Sequence, residues 1–357
     1  MQTTWQFQTT TQEAWDAMLE DCRAVEYSID IEQYIFLDDE VGKKFFDVLI
    51  EKARQNVVVR VLCDMVGSAD FYFSKRVQEL KDAGVHIEFF NPVSPWRIHN
   101  FTAWFFRDHR KVMVFDDRVG YVGGIGFNIH MKDWRDTQVR LTGPVVQQIK
   151  GNFNWMWQMT HQRKFIPYRI PHQYDDGFSI LPSSPRRHQR FIGRKLIDAI
   201  RGAQEYLYLT TPYFVPHRRF LRMLRLAARR GVDVRLLVPG KNDVPIVDYA
   251  GKYYFDALLR SGVRVFLYDP NVVLHAKTGA VDDSWGTLGS CNLDNLSFRF
   301  NYEANVVSTN QTFVQELKSQ FLRDLSHSKE IQLAAWRSRS WVQKLKEWLI
   351  WPIHAFL

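Results

Sequence analysis

Residues 108–117 read DHRKVMVFDD, and residues 274–283 read LHAKTGAVDD. Each carries His, one residue, Lys, four residues, Asp: His109, Lys111 and Asp116 in the first, His275, Lys277 and Asp282 in the second. In an extended segment residues i and i+2 share a face, so each His–Lys pair is expected to emerge together. Val112, Val114 and Phe115 anchor the first segment in its sheet, as do Ala280 and Val281 in the second. A buried ammonium beside an imidazole is costly unless an anion visits it. Two such pairs in one pocket would form a phosphate site with a nucleophile and an acid–base partner built in.

The repeat reaches beyond these segments, which lie 275 − 109 = 166 residues apart. EYSIDIEQYIF from Glu26 resembles EYLYLTTPYF from Glu205, and VRVLCD from Val59 resembles VRLLVP from Val234. AGVHIEFFNP from Ala83 matches SGVRVFLYDP from Ser261. YSIDIEQYI alternates as a half-buried strand does, and Val41, Phe45, Phe46, Leu49 and Ile50 give a helical face, as do Phe220, Leu221, Leu224 and Ala228. Strands alternating with helices predict an α/β chain of two pseudo-twofold-related halves. Each half is expected to be a mostly parallel β-sheet flanked by helices. The predicted units are residues 1–165, residues 166–330 and a C-terminal segment, 331–357, joined through the Pro-, Ser- and charge-rich stretch near 165–185.

Neutral hydrogen-bonding groups follow each motif. GTLGSCNLDN supplies Gly289, Ser290 and Asn292; GYVGGIGFN supplies Gly123, Gly124, Gly126 and Asn128. Ser290, Asn292 and Asn128 are candidate substrate-binding residues. Carboxylates then recur at matching distance: Asp136 (136 − 109 = 27) and Glu303 (303 − 275 = 28). An imidazole nucleophile needs its second nitrogen held by an acceptor, and these two are the candidates.

Composition narrows the partners. The 357 residues are 46% hydrophobic and 24% charged, which argues against disorder. A net charge of +8 favours polyanions: nucleic acid, anionic lipid or phosphate esters. Cys22, Cys63 and Cys291 are widely spaced, forming neither a disulfide framework nor a metal cluster, which fits a reducing compartment. The N-terminal text is not that of a signal peptide, and no run of about 18 apolar residues predicts a membrane span. Aromatic content is high, 15% with 12 Trp. It concentrates in an insert before the first motif (Trp96, Trp104, Phe105, Phe106) and in the C-terminal text AAWRSRSWVQKLKEWLIWPIHAFL. The insert is either local packing or an aromatic rim on an apolar substrate or membrane interface. As a helix, the tail sets Trp341, Leu345, Trp348 and Leu349 opposite Arg337, Lys344 and Lys346, the pattern of an interfacial anchor. The basic run RRFLRMLRLAARRG fits lipid headgroups, nucleic acid or a solvated helix face.

The doubled HxKxxxxD followed by GSxN resembles the signature of the phospholipase D superfamily over roughly residues 20–325. The second copy matches in full; the first has Gly124 where Ser is usual and Gly126 where Asn is usual. The flanking text is most similar to bacterial cardiolipin synthases of the short, peripheral type. That resemblance implies a phosphatidyltransferase working through a phosphohistidine, with His109 as nucleophile, His275 as acid, and Lys111 and Lys277 on the non-bridging oxygens. It implies no metal or other cofactor, since the two lysines supply the electrostatics, and it leaves Asp116 and Asp282 bracing their own segments. It also implies an anionic phospholipid substrate such as phosphatidylglycerol, a membrane surface as partner, and a peripheral place on the cytoplasmic face of a bacterial inner membrane, with nucleic acid disfavoured. The alternatives are a phospholipase D or nuclease that uses water, and a silent membrane-binding relative.

Overall fold

The computed structural model describes residues 2–92, 105–168 and 176–350. Trp96 and Trp104 of the aromatic insert and the end of the C-terminal tail lie outside these residues. The first half contributes β1 (Thr4–Gln8), β2 (Ser28–Gln33), β3 (Val58–Asp64), β4 (His86–Phe90), β5 (Lys111–Phe115), β6 (Val119–Gly123) and β7 (Gln138–Thr142). They form one seven-stranded sheet in the order β1-β7-β6-β5-β2-β3-β4. The second half contributes β8 (Phe178–Ser183), β9 (Tyr206–Thr210), β10 (Phe214–Val215), β11 (Asp233–Val238), β12 (Arg264–Tyr268), β13 (Thr278–Val281), β14 (Trp285–Gly289), β15 (Leu293–Asp294), β16 (Glu303–Ser308) and β17 (Ser328–Glu330). Its main sheet runs β17-β12-β11-β9-β13-β14-β16-β8, while β10 and β15 pair separately. With β17 set aside, the two sheet orders are the same, so the sequence repeat is a repeat of topology.

The two-lobed α/β architecture matches expectation, but the sheets are mixed rather than mostly parallel. Within the two main sheets only β2-β3-β4 and β9-β11-β12 run parallel. The motif strands β5 and β13 pair antiparallel with both neighbours. The reason lies in the turns at their ends. A parallel return needs a crossover of a dozen or more residues, whereas Asp116–Arg118 and Asp282–Ser284 close each hairpin in three. Asp116, Asp117, Asp282 and Asp283 take left-handed backbone (φ 50°, 54°, 49° and 50°), a conformation Asp tolerates better than most residues.

Helices cover the outer faces. In Glu40–Arg54, Asp39 caps the N–H groups of Val41 and Gly42, and Val41, Phe45, Phe46 and Leu49 are buried against β2 and β3. The inner faces of the two sheets meet in a third core shared by both lobes, with Val112, Val114 and Val139 from one and Phe178, Tyr208, Leu274 and Phe313 from the other. Trp5, on an edge strand of the first sheet, packs on Phe178 (5.4 Å) and Phe313 (5.6 Å) of the second lobe. Each large apolar side chain so buried contributes roughly 1.5–3 kcal/mol, so the lobes are held as one body.

Candidate active site

The first HxK segment runs into β5, whose first residue is Lys111, and the second ends just before β13, both at the end of each sheet where its parallel strands finish. In open α/β sheets that edge is where ligands bind. Each segment is clamped by backbone hydrogen bonds to the other lobe. His109 N donates to Tyr302 O (3.0 Å) and Tyr302 N to Arg107 O (2.8 Å); His275 N donates to Arg135 O (2.8 Å) and Arg135 N to Val273 O (2.9 Å).

This clamp crosses the carboxylates. His109 Nδ1 lies 3.1 Å from both oxygens of Glu303, and His275 Nδ1 lies 2.6 Å from Asp136 Oδ2. Each half therefore supplies the acceptor for the other half's imidazole. With Nδ1–H held by a carboxylate, Nε2 is the reactive nitrogen of each ring. Lys111 Nζ donates to the carbonyl of His109 (2.6 Å), and Lys277 Nζ lies 2.8 Å from His275 Nδ1 and 3.9 Å from Asp136.

The cleft above these groups has a volume of about 320 Å³. His109, Lys111, His275 and Asn292 line it, together with Tyr34, Trp134, Tyr213, Asp243 and Asp294. The Tyr34 ring packs edge-on to His109 at 4.8 Å, and Trp134 lies 5.1 Å from His275. Tyr34 and Tyr213 hold equivalent positions in EYSIDIEQY and EYLYLTTPY, so the repeat carried the signal for both. Asp243, to which the Tyr213 hydroxyl donates at 2.8 Å, and Asp294 had no motif to mark them.

Several expected site residues lie elsewhere. Asp116 and Asp282 stand at the far ends of β5 and β13, five residues from the lysines, or about 16 Å of strand. Asp116 accepts the N–H groups of Glu26, Tyr27 and Ser28; Asp282 accepts those of Gln204, Glu205 and Tyr206. They brace the starts of β2 and β9 and touch no part of the cleft. Ser290 is fully buried behind Glu303, donating to Oε2 at 2.5 Å, so it serves the carboxylate and is not among the cleft-lining residues. Asn128 does not replace the missing Asn: its Oδ1 caps the turn at His130 N (3.0 Å), the position Asp294 fills in the other half by capping Ser297 N (2.7 Å). Asn292 does line the cleft, 3% exposed, with its Oδ1 unpartnered among the described residues. Phe106 packs into the cluster around Trp155 and Tyr302, whereas Phe105 is 46% exposed, so the described end of the insert divides between packing and surface.

Gly124 has a steric explanation. A Cβ there would come within 2.3 Å of Asp136 Oδ1. Asp is one methylene shorter than Glu, so its carboxylate sits against the backbone where the other half has room for Ser290. Gly124→Ser is expected to displace Asp136 and slow turnover by about tenfold to a hundredfold, measured beside an unchanged melting temperature.

Burial dominates the electrostatics. It pushes the His109 imidazole down to about 4, with Lys111 and Lys277 adding to it and Glu303 opposing. Burial also lowers Lys111 to about 7 and Lys277 to about 8, and it lowers His275 with the help of Lys277. Asp136 is held below its ordinary value, because Lys277 and His275 outweigh the desolvation that opposes them. In the empty cleft the ammonium forms are thus lost as pH rises through about 7 and then about 8. The expected result is a kcat/KM that falls in steps as pH rises, first as His275, already lowered, gives up its proton and then as the two ammoniums do, since this quantity reports the free enzyme. The kcat limb should lie higher, because a bound phosphodiester anion restores both protons.

Comparisons with known proteins identify the relatives of this chain. A family model described as "Cardiolipin synthase, PLD-like domain" matches residues 18–157 and 196–325, one match in each half. The major cardiolipin synthase ClsA of Bacillus subtilis is 35% identical over 353 residues, covering 95% of this chain and 72% of the relative. Cardiolipin synthase A of Pseudomonas fluorescens is 35% identical over 343 residues, 93% of this chain and 70% of the relative. Among solved structures, a phosphatidylserine synthase of Haemophilus influenzae shares the fold at a TM-score of 0.75 and 17% identity, covering 99% of this chain and 95% of that one. With its doubled HxK motif, its duplicated topology and a family match to both halves, the chain belongs to the cardiolipin synthase family of phospholipase D-like proteins.

Proposed function

We propose that the chain is a phosphatidyltransferase that joins two anionic phospholipids, phosphatidylglycerol foremost, into a diphosphatidyl product through a phosphohistidine. The observation that carries this reading is the pair of crossed His–carboxylate contacts converging with Lys111 on one cleft, with Lys277 held just behind His275. His109 Nε2 attacks phosphorus, forming the P–N bond as the P–O bond to the first glycerol breaks. His275, starting as imidazolium, gives its Nε2 proton to that leaving oxygen. The hydroxyl of the second lipid then returns a proton to His275 as its oxygen displaces His109. Lys111 and Lys277 offset the charge gathering on the non-bridging oxygens.

The unequal carboxylates support this division of labour. Glu303 shares its charge between His109 and the Ser290 hydroxyl, and so favours a neutral, nucleophilic ring. Asp136 contacts His275 at the shorter distance and is held ionised, which favours imidazolium there once substrate balances Lys277.

We further propose that the protein works at a membrane surface. No helix of the described residues is long and apolar enough to cross one. The helix Trp341–Ile350 docks on Pro245–Lys252, where Lys346 Nζ lies 5.6 Å from the Tyr249 ring, yet leaves Trp341 and Trp348 exposed at 73% and 64%. That outward apolar face suits an interface.

The test uses vesicles containing phosphatidylglycerol. Equal yields of free glycerol and diphosphatidyl product are expected. Phosphatidic acid in place of that product would replace the reading with hydrolysis, and no turnover would replace it with a silent lipid-binding role.

A further inference from the structure

The basic run at residues 218–230 serves two purposes. Phe220, Leu224 and Ala227 are buried in the second lobe's core. Towards the helix C-terminus, Arg225 donates to Ser261 Oγ (2.9 Å), and Arg230 donates to the carbonyls of Ile200 and Ala203 (3.1 Å each). Those cations are structural. Arg218 and Arg219, in the first turn of Arg218–Arg229, instead line a cleft of about 360 Å³ with His217, Arg299, Pro216 and Tyr254.

This cleft is electrostatically unbalanced. Among the described residues, no carboxylate pairs with Arg218, Arg219 or Arg299, or with neighbouring Arg190, whose Nε is buried without a partner. The charges acting on His217 are Arg299, Arg219 and Arg190, all cationic. A helix N-terminus ordinarily attracts acids, and none stands in this first turn. Arginines there oppose the dipole, so the arrangement costs free energy until an anion enters. His217 is ready to contribute: its Nδ1 accepts the N–H of Phe220 (3.2 Å), which leaves Nε2 to carry the proton of the neutral ring.

We propose that this cleft is a second anion site that holds the phosphodiester headgroup of an anionic phospholipid in the bilayer. Its position selects lipid. The short helix Asn295–Arg299 contributes Arg299 to this cleft and Leu296 to the catalytic cleft, so the two stand back to back. Pro216 follows β10, which contacts the helix Pro245–Lys252, and that helix carries the segment with exposed Trp341, Trp348 and Leu349. Guanidiniums on the same lobe as these outward apolar rings, with the half-exposed Tyr253 packed 5.6 Å from Tyr254 of the cleft, match the boundary between headgroups and acyl chains. A polynucleotide would instead want a tracking stripe of cations with rings to stack its bases.

The site concerns capture of the enzyme by the membrane and stands whether the catalytic cleft transfers or hydrolyses. The full-length double variant Arg219→Gln/Arg299→Gln should bind phosphatidylglycerol-containing vesicles about thirtyfold more weakly at about 0.1 M salt, roughly fivefold for each arginine. Binding to phosphatidylcholine vesicles should not change. Turnover of monomeric short-chain phosphatidylglycerol should stay within about twofold of wild type, and Arg219→Lys/Arg299→Lys should restore vesicle binding in large part. Unchanged binding to the anionic vesicles would overturn the proposal, as would an equal loss on phosphatidylcholine. A collapse of short-chain turnover would assign the arginines to the catalytic cleft. Loss of single-stranded DNA binding with vesicle binding intact would assign the cleft to nucleic acid.

Discussion

Exchanging Glu303 for Gln is expected to lower turnover by about a thousandfold to ten-thousandfold, although Glu303 lies 303 − 109 = 194 positions from the histidine it serves. Without a carboxylate, His109 loses the partner that fixes its tautomer and stabilises the charge it gains on attacking phosphorus. Asp136→Asn should cost a similar factor through His275. The two are separable by double-mutant cycles. Glu303→Gln added to His109→Ala should cost little more, because the partner is already gone. Asp136→Asn added to His275→Ala should likewise be nearly silent. If the pairing instead followed sequence, with Asp136 serving His109, the silent combinations would be reversed. Steady-state rates of the four single and two double variants decide it. Folding is checked by melting temperature, because Glu303 is fully buried and also holds Ser290.

His109→Ala should abolish turnover, by about a millionfold, since it removes the group that carries the phosphoryl intermediate. No labelled phosphoenzyme should be trapped, even from a substrate with an activated leaving group. His275→Ala should also stop transfer from a natural lipid, whose alkoxide must be protonated to leave. With a nitrophenyl leaving group it should still form labelled enzyme in a single burst, because that group departs without a proton. Label on His275 in the wild-type protein would exchange the two roles and leave the cleft chemistry otherwise intact.

The duplicated site was legible because its parts recur. His109, Lys111, His275 and Lys277 are conspicuous as a spaced pair of polar residues set twice into apolar strands. The flanking repeats, EYSIDIEQY with EYLYLTTPY among them, made the two-lobed fold readable, and that pair already carried Tyr34 and Tyr213. Asn128 misled because a side chain two residues late looks available on paper. The backbone gives that position to a turn cap, as it does for Asp294. Asp116 and Asp282 are motif residues whose work is conformational: they accept a left-handed turn and tie down the neighbouring strand.

The amino-acid sequence by itself determined that there are two lobes, that each brings one His–Lys pair, and that a carboxylate follows each at nearly equal distance. These are local matters of period, spacing and turn chemistry. Only the tertiary structure decided that the carboxylates cross, that Ser290 stands behind Glu303, that Gly124 makes room for Asp136, and that an arginine-lined cleft adjoins the site. The Ser290 and Gly124 contacts follow from strand pairing within each sheet, and the crossing depends on how the two lobes pack against each other. That packing brings together the backbones of His109 and Tyr302, and of His275 and Arg135, across the long-range contacts of one shared core.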